Sequence, residues 1–150
     1  MSKLTIRSHD LVVVLDGRKA LFFENVGNAI RLDLAALEVR EHQDPPNREL
    51  QSDRPGRVHQ SAASFRSAIE VTDFHEEAER AFVEEIAQRL DALAVQNRAS
   101  RFIVIAPPRA LGALRKGYTP NIRAGLQAEI GQDWVNLPVD EIEKRLDALT

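Results

Sequence analysis

The stretch "RFIVIAPP", Arg101–Pro108, constrains the fold more than any other part of this chain. Its apolar residues run without alternation, the pattern of a strand buried on both faces, so the sheet that holds it must be covered on both sides. Pro108 suits the first turn of a helix, which predicts a helix over Arg109–Lys116 directly after the strand. A strand that passes at once into a helix points to α/β layering.

The residues before it supply the rest of the sheet. Leu11–Leu15 ("LVVVL") is a β-branched run ending at Asp16-Gly17, a dipeptide whose tolerance of positive φ favours tight hairpins. "ALFFEN", Ala20–Asn25, reads as the returning strand. Gly27-Asn28 signals another turn, and Ile30, Leu32 and Leu34 then alternate with Arg31 and Asp33 as a third strand. Helix is the competing reading for Ala35–Val39. The first 40 residues therefore read as a three-stranded antiparallel meander.

Residues 43–70 hold no sustained period, with Pro45-Pro46 and Pro55-Gly56 as breakers. Such a long irregular segment in a compact domain is uncommon, and is usually functional or disordered. A helix over about 73–95 follows, because Asp73 and Glu76 have the spacing of a capping box. Phe74, Ala78, Phe82, Ile86, Leu90 and Leu93 recur on one face of it. Glu76, Glu77 and Glu79 then lie near the positive end of its dipole. Residues 119–131 are ambiguous between a helix starting at Thr119-Pro120 and a last strand at Leu126–Ile130. Leu137, Ile142, Leu146 and Leu149 share one face of a closing helix. The order is β-β-β, long loop, α, β, α, β, α: one α/β domain over 1–150 with a mixed sheet.

Composition narrows the function classes. The 150 residues suffice for one buried core, and 43% hydrophobic with 29% charged residues is a globular balance. A net charge of -3 excludes whole-surface nucleic-acid binding but leaves a local basic patch open. With no cysteine there are no disulfides, thiolate metal sites or thiol nucleophiles. The N-terminal apolar run is short for a signal peptide, and no segment approaches the roughly 18 apolar residues of a membrane span. A cytoplasmic location without membrane insertion is expected.

Motifs for chemistry are sparse. "HEEAE", His75–Glu79, has glutamate where a zinc-binding helix needs its second histidine, and His9, His42 and His59 lack neighbours at ligand spacing. No phosphate-binding glycine loop occurs, and none of Ser52, Ser61, Ser64 and Ser67 lies in a nucleophile elbow. "APPRALGALRKG" could seat an anion where helix follows strand, although its prolines remove donors there. No metal, cofactor or catalytic residue is expected.

Charge distribution says more. Arg48–Arg66 holds four basic and two acidic residues, with His59 besides. Arg109–Arg123 holds four basic residues (Arg109, Arg115, Lys116 and Arg123) and no acidic ones, whereas Asp73–Asp91 holds seven acidic and two basic. Arginine's planar fork suits phosphate. Two readings stand side by side: contact with a polyanion, or internal pairing with the acidic helix. Aromatic support for stacking is limited to Phe65 and Tyr118.

The stretches "LVVVLDGRKALFFEN", "RELQSDRPGRVHQSAASFRSAIE", "DFHEEAERAFVEEIAQRL", "FIVIAPPRALGALR" and "LPVDEIEKRLDAL" together resemble the bacterial host attachment proteins, named for attachment to host cells. That family is similar in turn to the middle domain of archaeo-eukaryotic peptide release factors. The resemblance implies a ribonuclease-H-like mixed sheet, in which three strands precede a long polar loop and a long helix follows it. In the release factors that loop carries Gly-Gly-Gln into the peptidyl transferase centre. Here "DRPGRVHQS" stands there, with Gly56 and Gln60 but no Gly-Gly-Gln, so the resemblance implies contact with ribosomal RNA and the departure argues against peptidyl-tRNA hydrolysis.

The expected function is a non-catalytic, ribosome- or RNA-associated release-factor-like module. Arg54, Arg57 and Arg66 would contact phosphate and Gly56 would allow the tight turn. His59 and Gln60 complete the loop's binding set, and Arg109 and Arg115 extend it. The alternative is an interaction protein that supports host attachment through a protein or surface partner; a hydrolase using the loop as a lid ranks behind both.

Overall fold

A computed structural model describes residues 4–42, 61–96 and 101–150, with the backbone alone over 61–74. Strand β1 (Leu11–Leu15) turns into β2 (Lys19–Asn25) as an antiparallel hairpin. The Asp16 carboxylate closes that turn by accepting from the Arg18 and Lys19 amides, both at 2.8 Å. Gly17 does not adopt the positive φ that the Asp-Gly pair suggested, so the side-chain acceptor is the organising element.

The third strand, β3 (Leu34–Glu41), begins later than the alternation of Ile30, Leu32 and Leu34 suggests. Two asparagines cause this. Buried Asn25 accepts from the Gly27 and Asp33 amides at 3.0 Å each, and Asn28 accepts from the Ile30 and Arg31 amides at 2.8 Å each. The chain from 26 to 33 is thereby held as a turn, and Ile30 is 94% exposed at its tip. Ala35–Val39, where helix competed, is strand paired with β2, with a bulge opposite Phe22 and Phe23.

Helix α1 (Ser61–Gln96) starts at Ser61, not Asp73. No glycine or proline lies between 61 and 73 to stop it, so Asp73 and Glu76 lie in its interior and not at its start. The irregular segment expected over 43–70 gives way to helix from Ser61 onward, and 43–60 lies outside the described residues. At about 1.5 Å per residue, α1's 36 residues extend for roughly 54 Å.

After α1 come β4 (Phe102–Ile105), α2 (Pro108–Arg115), the short α3 (Pro120–Gly125), β5 (Leu126–Ile130) and α4 (Val139–Leu149). Residues 119–131 thus hold both a helix and a strand. Thr119 caps α3 by accepting from the Ile122 amide at 3.2 Å. The five strands form one sheet in the order β3-β2-β1-β4-β5, with β4 parallel to both β1 and β5. This single α/β domain has the mixed sheet expected of a ribonuclease-H-like, release-factor-type fold.

The unbroken apolar runs explain the layers. Leu11, Val13, Leu15, Phe102 and Val104 face one way and pack beneath Phe82, Ile86 and Leu90 of α1, Leu114 of α2 and Ile122 of α3. Val12, Val14, Ile103 and Ile105 face the other way, against Ile142 and Leu146 of α4 and against Trp134. Leu149, read onto the same apolar face of α4, is 46% exposed. No helix among the described residues is long and apolar enough to cross a membrane.

Candidate functional site

Two surface depressions carry Arg109, Arg115 and Arg123 of the arginines that the sequence singled out. The first is a cleft of about 250 Å³ beyond the carboxyl ends of the parallel strands β1 and β4. The chain leaves β1 toward β2 and leaves β4 toward α2, so this is a point where strand order diverges, the usual place for ligands in open α/β sheets. Gly17 follows β1, Pro107 and Arg109 follow β4, and Glu76, Glu79 and Arg80 come from α1. A Cβ at Gly17 would stand 3.0 Å from the Glu79 carboxyl group, so the glycine leaves room for that side chain in the cleft.

Charges in the cleft are largely matched. Arg109 Nη2 lies 3.2 Å from Glu76 Oε1, and Arg18 Nε lies 3.8 Å from Glu79 Oε1. Both arginines stay more than half exposed (77% and 57% of their side chains), and exposed pairs are weak enough to exchange partners. Arg80 forms no ion pair among the described residues.

The second depression is an open groove of about 360 Å³ between the end of α2, α3 and β5. Arg115 grips Glu129 bidentately, with Nε at 3.1 and 3.2 Å from its two oxygens and Nη2 at 2.9 Å from Oε1. The Tyr118 hydroxyl donates to Glu129 Oε2 at 2.7 Å. Arg115's hydrogen bond is the main force holding the Glu129 carboxyl below its usual range, and Glu129 in turn raises the Arg115 guanidinium. Burial, then the bond to Glu129, pushes the Tyr118 phenol well above its ordinary value. The guanidinium of Arg123 lies over the Tyr118 ring, 5.9 Å from its centroid.

Arg109 and Arg115, expected to extend one patch, therefore line different depressions, each with a carboxylate partner. Arg54, Gly56, Arg57, His59 and Gln60 lie outside the described residues. Arg66 is placed on α1, and its side chain lies outside them too. Sequence reasoning passed over Glu129, because its role depends on β5, which periodicity left ambiguous. It also passed over Arg80, which only the fold brings to the cleft, and Arg18, which reaches the cleft through Glu79. Among the described residues no three histidine or acidic side chains cluster as a metal site.

Among protein-family models, the one for bacterial archaeo-eukaryotic release factor family 12 matches residues 10–146. A search of curated proteins gives no match.

Proposed function

The chain belongs to bacterial archaeo-eukaryotic release factor family 12, and from that premise we propose that it is a release-factor-like module that associates with the ribosome through RNA and hydrolyses nothing there. The family match across residues 10–146 carries this reading. The element order supports it, because residues 43–60 fall in sequence between β3 and α1, and the release factors that the chain resembles carry their functional loop between a third strand and a long helix.

The chemistry of that segment favours contact over catalysis. "DRPGRVHQS" offers Arg54 and Arg57 as bidentate phosphate donors, with Gly56 between them, and contains no Gly-Gly-Gln. His59, Gln60 and Arg66 would add polar contacts. Arg109 and Arg115, both on α2, add positive charge, and each is able to exchange its carboxylate for a phosphate oxygen. The alternative, an interaction protein supporting attachment to host cells, relies on the same segment and is favoured by no feature of the described residues.

Co-sedimentation with ribosomes tests the reading. Binding at low salt should weaken as salt rises, because each phosphate contact releases counterions. Arg54→Ala with Arg57→Ala should weaken it further and flatten the salt dependence. A protein that never sediments with ribosomes at low salt would overturn the proposal.

A further inference from the structure

We propose that the groove between α2, α3 and β5 receives one nucleotide of single-stranded RNA, its base stacked on Arg123 and its phosphate bonded to Arg115. This rests on the RNA reading above, but concerns residues outside the 43–60 segment.

Three observations lead there. First, the basic run Arg109–Arg123 is only partly neutralised from within. Glu76 takes Arg109 and Glu129 takes Arg115, while Lys116 and Arg123 form no ion pair among the described residues. Second, Arg123 already has an aromatic neighbour. Its guanidinium carbon lies over the Tyr118 ring, 5.9 Å from the centroid, and Tyr118 is fixed by its hydroxyl's 2.7 Å bond to Glu129. Arg123 is exposed, and a guanidinium is a planar cation, one of the surfaces on which proteins stack unpaired bases. Third, the groove has the size and composition for a nucleotide. Its volume of about 360 Å³ falls within the roughly 300–1,000 Å³ of ligand pockets. Leu126 adds an apolar wall.

The anion inside the groove does not defeat the idea. Glu129 is saturated by Arg115 and Tyr118, so it orders the two groups that would meet RNA while two guanidiniums leave the groove net positive. Arg115 keeps 55% of its side chain exposed despite the pairing, which leaves donors for a phosphate oxygen. Single-stranded RNA fits better than duplex, because stacking on Arg123 requires a base with a free face.

Tyr118 is the chain's one tyrosine, so ring-labelled tyrosine gives a local NMR reporter of the groove. A short fluorescent oligouridylate is titrated into the full chain, with anisotropy and the Tyr118 ring signals read together. The expected result is saturable binding with a shift of those signals. Arg123→Ala should weaken binding roughly five- to tenfold and reduce the shift. Arg123→Lys, which keeps charge but loses the plane, should retain the salt dependence and still lose most of the shift. The single Trp134, on the other sheet face, confirms by fluorescence melting that each variant is folded.

Saturating binding with unmoved Tyr118 signals would overturn the groove proposal and leave the RNA reading intact. So would a polyglutamate peptide that shifts Tyr118 as much as RNA does, which would make the groove a site for acidic protein. Ribosome co-sedimentation without oligouridylate binding would also sink the groove alone; failure of both would sink the two together.

Discussion

Arg89 of α1 donates to both carboxylate oxygens of Glu38 on β3, with Nε 3.0 Å from each and Nη2 2.7 Å from Oε1. Arg40 donates to the same carboxylate from the strand itself. β3 is an edge strand in which Leu37 and Val39, on either side of Glu38, are 49% and 54% exposed, so little apolar burial holds that stretch down. The Glu38–Arg89 bond is a polar tie between that edge and the helix.

Arg89→Ala should therefore loosen the β3 edge, and the effect should depend on pH. Arg89's hydrogen bond, against burial and with help from Arg40, holds the Glu38 carboxyl below its usual range. A lowered folded pKa gives stability that is present above the unfolded carboxyl value and is lost as pH falls through the folded one. About 1 kcal/mol is expected at neutral pH for a charged bidentate bond discounted for partial exposure. Urea midpoints of wild type and variant should differ at pH 7 and converge in acid. A constant difference would assign the loss to the packed stem of Arg89 instead.

Tyr118 gives the alkaline counterpart. Its raised folded pKa means that its contribution is full below the unfolded phenol value, near 10, and is lost as pH rises through the folded one. As the chain's one tyrosine, it can be followed by phenolate absorbance without interference. The native protein should resist ionisation beyond the ordinary tyrosine range. Glu129→Gln should lower that resistance in part, since burial is the larger cause and remains. Titration of the variant at the wild-type position would show that the 2.7 Å bond does not form.

What the sequence made legible follows from where each signal is stored. Leu11–Leu15 and Phe102–Ile105 could be placed because an unbroken apolar run carries its own evidence of two-sided burial. Ser61–Glu70 could not, because serine and alanine supply no apolar period, and the segment is helical for want of a breaker. Ile30 misled because alternation reads the same in a strand and in a turn, and the difference lies in two asparagine side chains. At the candidate site, clustered cations were visible but their partners were not. Arg115 meets Glu129 only once a strand of uncertain existence is placed beside β4.

Ile30→Ser tests the turn against the strand that the alternation implied. At 94% exposure the side chain has little burial to lose, so stability should change by less than about 0.5 kcal/mol. Leu90→Ala, fully buried between α1 and the sheet, should cost about 2–5 kcal/mol. Urea denaturation of the two variants measures both. A loss at Ile30 comparable to that at Leu90 would restore it to a packed strand.

Gly27 and Gly112 should respond to alanine with opposite signs. Replacing glycine by alanine where the backbone tolerates it commonly stabilises by about 0.4–1 kcal/mol, by restricting the unfolded chain. Gly112 lies inside α2 with nothing within 4 Å of a built Cβ, so Gly112→Ala should show that gain. At Gly27 a Cβ would stand 2.2 Å from the Arg31 carbonyl oxygen and 3.1 Å from the Asp33 amide nitrogen. Those are backbone atoms, and the Asn25 side chain pins the amides of both Gly27 and Asp33, so they cannot swing aside as a flexible side chain would. Gly27→Ala should instead destabilise by about 1–3 kcal/mol, the cost typical of forced overpacking. Thermal melts of the two single variants read the signs directly. A stabilised Gly27→Ala protein would mean that the β2–β3 turn is not held shut by Asn25, and that β3 begins nearer Ile30.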